Sequence, residues 1–235
     1  MFRRDGTPAS ELFSGSMVAA DWRSTGEIVP AENSLRMKLA GKTEHERDLY
    51  LYGKDWVSSA DTVPYLKTVT VKVWDFKSGK SGEKITKTYS VQVHEAIADE
   101  IVTIFNEIYN DPEQFPIYEV GGFRAGSDTY MHERGLAFDI NANVNLMVKG
   151  SEIVGNYWAP VGVPESEWVV QSGTPPAGGD PYSVPINGSV VRILKRYGWC
   201  WGGDSKVGTA WDGTPSHWQT VVDFMHFSVC CDDAH

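Results

Sequence analysis

Basic charge is what this 235-residue chain most obviously lacks: 21 Lys and Arg stand against 31 Asp and Glu, a formal net charge of −10. A nucleic-acid binder normally carries a basic stripe, and adhesion to an anionic membrane or wall polymer also needs cationic surface. Both kinds of partner are argued against, while small or neutral ligands stay open. Long apolar runs are missing too, none approaching the roughly 20 residues of a membrane span. The opening "MFRRDGTPASELFSGSMVAADW" has two arginines but no apolar stretch long enough for a secretory signal, so no export signal is visible. Cysteine is scarce: Cys200, Cys230 and Cys231 are an odd number without a CxxC spacing, which excludes a disulfide framework. Buried thiols are expected, with one bridge from Cys200 to Cys230 or Cys231 open in an oxidising compartment. There is no internal repeat or low-complexity tract, and nothing speaks to oligomeric state.

What is present suits a soluble globular protein, with 41% hydrophobic and 22% charged residues. The length fits one large domain with an extension: residues 1–60 without clean periodicity, and residues 61–235 as the domain. The extension is expected to hold a helix and then a short strand around Leu49 to Tyr52. "YLKTVTVKVWDF" and "ITKTYSVQVH" alternate on either side of "KSGKSGEK", which predicts a β-hairpin. In "HEAIADEIVTIFNEIYN", Ile97, Ile101, Ile104, Phe105 and Ile108 recur at helical spacing. "IYEVGGFRAG" reads as a short strand entering a glycine turn. Residues 158–185 hold half of the prolines and predict a long surface loop at the rim of a site. "NGSVVRILKRYG" predicts a helix capped by Asn187 or Ser189 and stopped at Gly198, and "DFMHFSVCC" an apolar terminal strand. Helices and strands mix without regular βαβ alternation, which makes the fold class α+β.

One strand breaks its own pattern. In "YMHERGLAFDINANVN", Leu136, Phe138 and Ile140 alternate with Ala137, Asp139 and Asn141, as in a strand buried on one face. A carboxylate in that position is costly unless paired. His132 lies seven residues before Asp139, and Gly135 can turn the chain to bring the two together. Nearly ninety residues later, Asp223 and His226 lie three apart. Catalytic zinc typically takes three protein ligands and leaves one position for water. His132, Asp139 and His226 are therefore assigned as ligands. Asp223, expected in the bend before the last strand, is assigned as general base. His217 is the alternative metal candidate. His45 and His94 are read as structural, and Glu133 and Arg134 as facing solvent. Trp199 and Trp201 line a groove or pack in the core.

These residues resemble a known family. "HERGLAFDI" matches the H-x-x-G-x-A-x-D signature of the zinc D-Ala-D-Ala carboxypeptidases and L-alanyl-D-glutamate peptidases. "GWCWGGD" is similar to their G-W-x-W-G-G-D segment, "DFMHF" to their acid-x-x-H-F ending, and "DPYSVP" to an NPY-like element of a subgroup. The resemblance spans roughly Thr68 to Val229. It implies Zn²⁺ on His132, Asp139 and His226, Asp223 as catalytic base, and Arg124 of "GGFR" polarising a carbonyl or holding substrate. It implies a mainly antiparallel sheet flanked by helices, the fold shared with hedgehog signalling domains. Departures are Tyr130 where many members have Ser, and Ser205 where many have Trp, with Trp211 and Trp218 as the candidate substitutes. The implied activity is hydrolysis of peptidoglycan stem peptides, with a D-Ala-D-Ala carboxypeptidase favoured. An L-Ala-D-Glu endopeptidase and a non-catalytic zinc-containing wall- or peptide-binding module are the alternatives. An extracellular or envelope location follows from that substrate.

Overall fold

Thr43 and Glu46 close a capping box, and this local chemistry decides the first well-defined helix. In a computed structural model of the chain, residues 35–126, 130–149, 152–203 and 221–230 are described. A short helix α1 (Leu35–Leu39) leads to α2 (Glu44–Tyr52). The Thr43 hydroxyl accepts from Glu46 N (3.3 Å), and the Glu46 carboxylate accepts from Thr43 N (2.8 Å). Gly53, at φ 71°, ends the helix in the left-handed conformation. The strand expected around Leu49 to Tyr52 is thus helical, because two caps outweigh the β-leaning Tyr-Leu-Tyr run. A second box, built on Ser58 and Asp61, starts the single turn α3 (Ser59–Thr62).

The predicted hairpin is formed by β1 (Leu66–Phe76) and β2 (Lys84–His94), antiparallel from Leu66 opposite His94 to Phe76 opposite Lys84. Val69, Val71, Val73, Val91 and Val93 are buried and pack against α4 (Glu95–Asn110). The five apolar residues at helical spacing in α4 are all buried. His94 links hairpin and helix. Its Nδ1 accepts from Ala96 N (3.1 Å) as the N-cap of α4, and burial pushes its pKa down from 6.5 to about 4. The folded protein therefore holds this ring neutral while the unfolded chain protonates it. The stability this adds is complete above pH 6.5 and is lost as the pH falls toward 4, by up to about 3 kcal/mol. His94→Asn, which keeps a capping acceptor, is expected to flatten the fall of Tm between pH 6.5 and 4.

Among the described residues, two four-stranded antiparallel sheets follow the hairpin and α4. The strands and helices that follow are β3 (Val120–Gly121), α5 (Tyr130–Glu133), β4 (Ala137–Ile140), β5 (Asn145–Lys149), β6 (Glu152–Trp158), β7 (Val169–Val170), α6 (Ser189–Arg196), β8 (Cys200–Trp201), β9 (Val221–Asp223) and β10 (His226–Ser228). One sheet runs β3-β4-β10-β8 and the other β7-β6-β5-β9. The architecture is α+β with mainly antiparallel strands, as expected.

Several local expectations give way. β4 is buried on both faces rather than one: Phe138 packs on Phe105 of α4, and on the opposite face Asp139 meets His132 and His226. The terminal run is two strands, not one: β9 and β10 belong to different sheets, and Phe224 and Met225 turn between them. Helix α6 is capped by Gly188 rather than Asn187 or Ser189. The Glu113 carboxylate supplies the missing acceptor, receiving Ser189 N at 2.5 Å. The proline-rich segment has a buried end: Asp180, Ser183 and Val184 are covered, and Asn145 Oδ1 accepts from Val184 N (2.7 Å). Cys200 is disulfide-bonded rather than a buried thiol. Trp199 and Trp201 are wholly buried. Their indole N–H groups donate to Glu100 Oε1 (2.6 Å) and to the Phe224 carbonyl (3.0 Å), so both belong to the core.

Candidate metal centre

Asp139 and His226 meet because β4 and β10 pair in a register that sets them directly opposite. Opposed residues of an antiparallel pair project to the same face, so a residue from mid-chain and one near the end of the chain share one spot. His132 reaches that spot from α5. Gly135 makes the return possible: at φ 65° it takes a conformation side chains disfavour, and a Cβ there would lie 2.7 Å from His94 N. Its own N–H closes the turn on the His132 carbonyl (3.1 Å).

The resulting cluster is tight and buried. His132 Nε2 lies 3.2 Å from Asp139 Oδ1 and 3.0 Å from His226 Nδ1, and His226 Nδ1 lies 3.2 Å from Asp139 Oδ1. His132 Nδ1 sits 2.9 Å from the Gly122 carbonyl. A carbonyl can only accept, so Nδ1 donates and Nε2 keeps its lone pair in the neutral ring. With His226 Nδ1 also free of its proton, three lone-pair atoms converge, an arrangement that is unfavourable unless a cation lies among them. Ligands about 2.0–2.2 Å from a tetrahedral zinc stand about 3.3 Å apart, close to the separations found, and a backbone carbonyl behind a ligating histidine is the usual outer partner. The donor set fits Zn²⁺. In the metal-free protein burial opposes ionisation of Asp139, but His132 and His226, with N–H groups turned toward it in place of an ion, outweigh burial and hold the carboxyl well below the usual carboxylate range.

Asp223 stands beside this cluster without being part of it. It ends β9, opposite Met147 of β5, rather than lying in a free bend. The chain is locked there: Asp223 Oδ1 accepts from Met225 N (3.3 Å), and Asp223 N donates to the Gly202 carbonyl (3.1 Å). A Cβ on Gly202 would lie 2.3 Å from the Asp223 carbonyl oxygen, which explains the first glycine of "WGGD". Burial, and then the negative charge of Asp139, push the Asp223 carboxyl up to about 7. The residue expected in a bend is a buried, fixed one whose proton affinity is matched to neutral pH.

Arg124 leaves β3 through the turn after Gly122, and its Nη2 donates to Asp139 Oδ2 (2.5 Å). The side chain is 53% exposed, so it braces the oxygen of Asp139 that faces away from the cluster while offering other N–H groups outward. Glu133 and Arg134 do not face solvent as expected. Arg134 is buried in a two-point ion pair with Asp48 of α2 (2.8 and 3.0 Å), and Glu133 Oε1 accepts from Ser59 Oγ (2.9 Å). Tyr130, the residue that fits its motif least, donates to Asp48 Oδ1 (2.8 Å). These partners lie over seventy residues away in sequence, and no periodicity points to them. His45 pairs with Asp55 (3.6 Å) away from the cluster. His217, Ser205, Trp211, Trp218 and Cys231 lie outside the described residues.

A buried cluster of two histidines and one aspartate with a proton-matched carboxylate beside it suits hydrolytic chemistry. Family comparison points the same way: residues 125–229 match the family model described as D-alanyl-D-alanine carboxypeptidase. The matched segment contains His132, Asp139, Asp223 and His226, with Arg124 one residue before it. No curated protein and no solved structure matches the chain.

Proposed function

We propose that the protein is a zinc-dependent peptidase that removes the terminal D-Ala from peptidoglycan stem peptides, acting at the cell envelope or outside the cell, with the fold of the zinc D,D-peptidases and hedgehog domains. The observation that carries this is the convergence of His132 Nε2, Asp139 Oδ1 and His226 Nδ1 at 3.0–3.2 Å beside Asp223. His132, Asp139 and His226 would hold the ion. Bound Zn²⁺ supplies Lewis acidity, acidifying water toward neutral pH and polarising a carbonyl. Asp223 takes a proton from the attacking water and returns it to the leaving amine, the task for which a pKa near the working pH is best. Its bond from Met225 N and its burial fix the carboxylate, so little reorganisation is needed at the moment of transfer. Arg124 holds Asp139 in the ligating orientation, and its exposed N–H groups are placed to receive a substrate carbonyl or carboxylate.

The terminal carboxypeptidase reading is preferred over cleavage at L-Ala-D-Glu because the family model is described by the former activity. Incubation with a stem pentapeptide is expected to release one D-Ala per chain, to stop with a chelator and to recover with zinc. Release of fragments split at L-Ala-D-Glu would move the assignment to an endopeptidase. Zinc binding without cleavage of either bond would leave a binding module.

A further inference from the structure

Helix α5 carries His132 but is a single turn, too short to hold itself in place, since one turn orders more backbone than its hydrogen bonds return. Its position is imposed by residues 44–62, which precede the family-matched segment. Asp48 is the hub. Its Oδ1 accepts from Tyr130 Oη (2.8 Å) and Arg134 Nε (2.8 Å), and its Oδ2 from Arg134 Nη2 (3.0 Å). Arg134 Nη2 also donates to the Val57 carbonyl (2.6 Å), and the guanidinium covers the Tyr130 ring at 4.7 Å. Tyr130 Oη further contacts the Glu44 carbonyl (3.1 Å). Ser59 Oγ donates to Glu133 and accepts from Gly126 N (3.1 Å), joining the same helix to the turn after Arg124. Residues 130, 133 and 134 are thus gripped from one side, and His132 is left to project from the other into the cluster. Asp48, Tyr130 and Arg134 are all buried, so this grip is rigid and dry.

We propose that Asp48 is a positioning residue for the metal centre: through Arg134 and Tyr130 it sets where His132 presents Nε2, making the N-terminal segment part of the site. This rests on the reading of His132 as a zinc ligand. A residue acting through a ligand's support typically changes metal affinity 10–100-fold when altered.

The test uses the full chain and three variants. Zinc affinity is measured by competition with a chromogenic chelator, ligand geometry by the visible spectrum of the cobalt(II)-loaded protein, and folding by circular dichroism of the metal-free form. His132→Ala examines the underlying reading by itself: wild-type zinc affinity in that variant would remove the ligand assignment, whatever Asp48 does. Folded Asp48→Asn is expected to bind zinc 10–100-fold more weakly and to shift the cobalt bands. Wild-type affinity with unchanged bands in folded Asp48→Asn would overturn the proposal. Should Asp48→Asn fail to fold, the paired replacement Asp48→Leu with Arg134→Met, which leaves no lone buried charge, is judged by the same two readouts. Failure of both to fold would also overturn it, since the pair would then serve folding as a whole.

Discussion

His132→Ala is expected to abolish zinc-linked stabilisation and peptide cleavage together. Zinc that binds only the folded state adds about 4 kcal/mol of stability at a thousand times its Kd, so the wild-type Tm should climb steeply with added metal. Two ligands, Asp139 and His226, would remain in the variant, still opposed across β4 and β10. Removing Nε2 takes away one of three donors that lie 3.0–3.2 Å apart. The loss of affinity should exceed the roughly 10–100-fold typical of an outer partner. Differential scanning calorimetry with and without zinc, beside a D-Ala release assay, checks both effects. A variant whose Tm still rises with zinc as in the wild type would remove His132 from the ligand set.

Asp223→Asn should separate catalysis from binding. The amide keeps the size of the side chain and can still accept from Met225 N, so the turn between β9 and β10 is retained. Proton transfer is what disappears, and turnover is expected to fall by about 10²–10⁴, some 3–5 kcal/mol of barrier, with zinc affinity kept. Stability should move the other way. The folded-state pKa of Asp223 is raised from 3.8 to about 7, so the unfolded chain ionises first. The metal-free protein therefore loses stability as the pH rises from 3.8 to about 7, and that cost persists above it. Asparagine never ionises, so the metal-free variant should melt above wild type at pH 8. Reduced activity with raised Tm marks a residue kept for chemistry rather than for folding; full turnover would end the base assignment.

The candidate site was largely readable in sequence because its chemistry is written in residue types that are expensive elsewhere. Asp139 in an apolar run demands a partner, and two histidines with a second aspartate supply a zinc-like set. The hairpin and α4 were equally legible, since Val69, Val71, Val73, Val91 and Val93 alternate at period two and the isoleucines of α4 recur at helical spacing. Less legible were β5, β6 and the splitting of "DFMHF" into β9 and β10. Those strands are short and take their identity from each other: Asp223 is a strand residue because Met147 lies opposite it. The exposure of Arg134 was misread for a similar reason. A lone arginine beside a turn looks solvated until α2 brings Asp48 against it.

The order of motifs, the donor set and the period of the longer elements follow from the chain alone, because they rest on residue chemistry and on spacing along the backbone. Which atom of each histidine faces the centre, how Asp223 comes to sit fixed beside it, and that residues 44–62 brace His132 were decided by the tertiary structure. Register across β4 and β10, the close approach of Gly202 to Asp223 and the ion pair of Asp48 with Arg134 are long-range matters. Only packing brings such partners within hydrogen-bonding distance, and no local pattern encodes it.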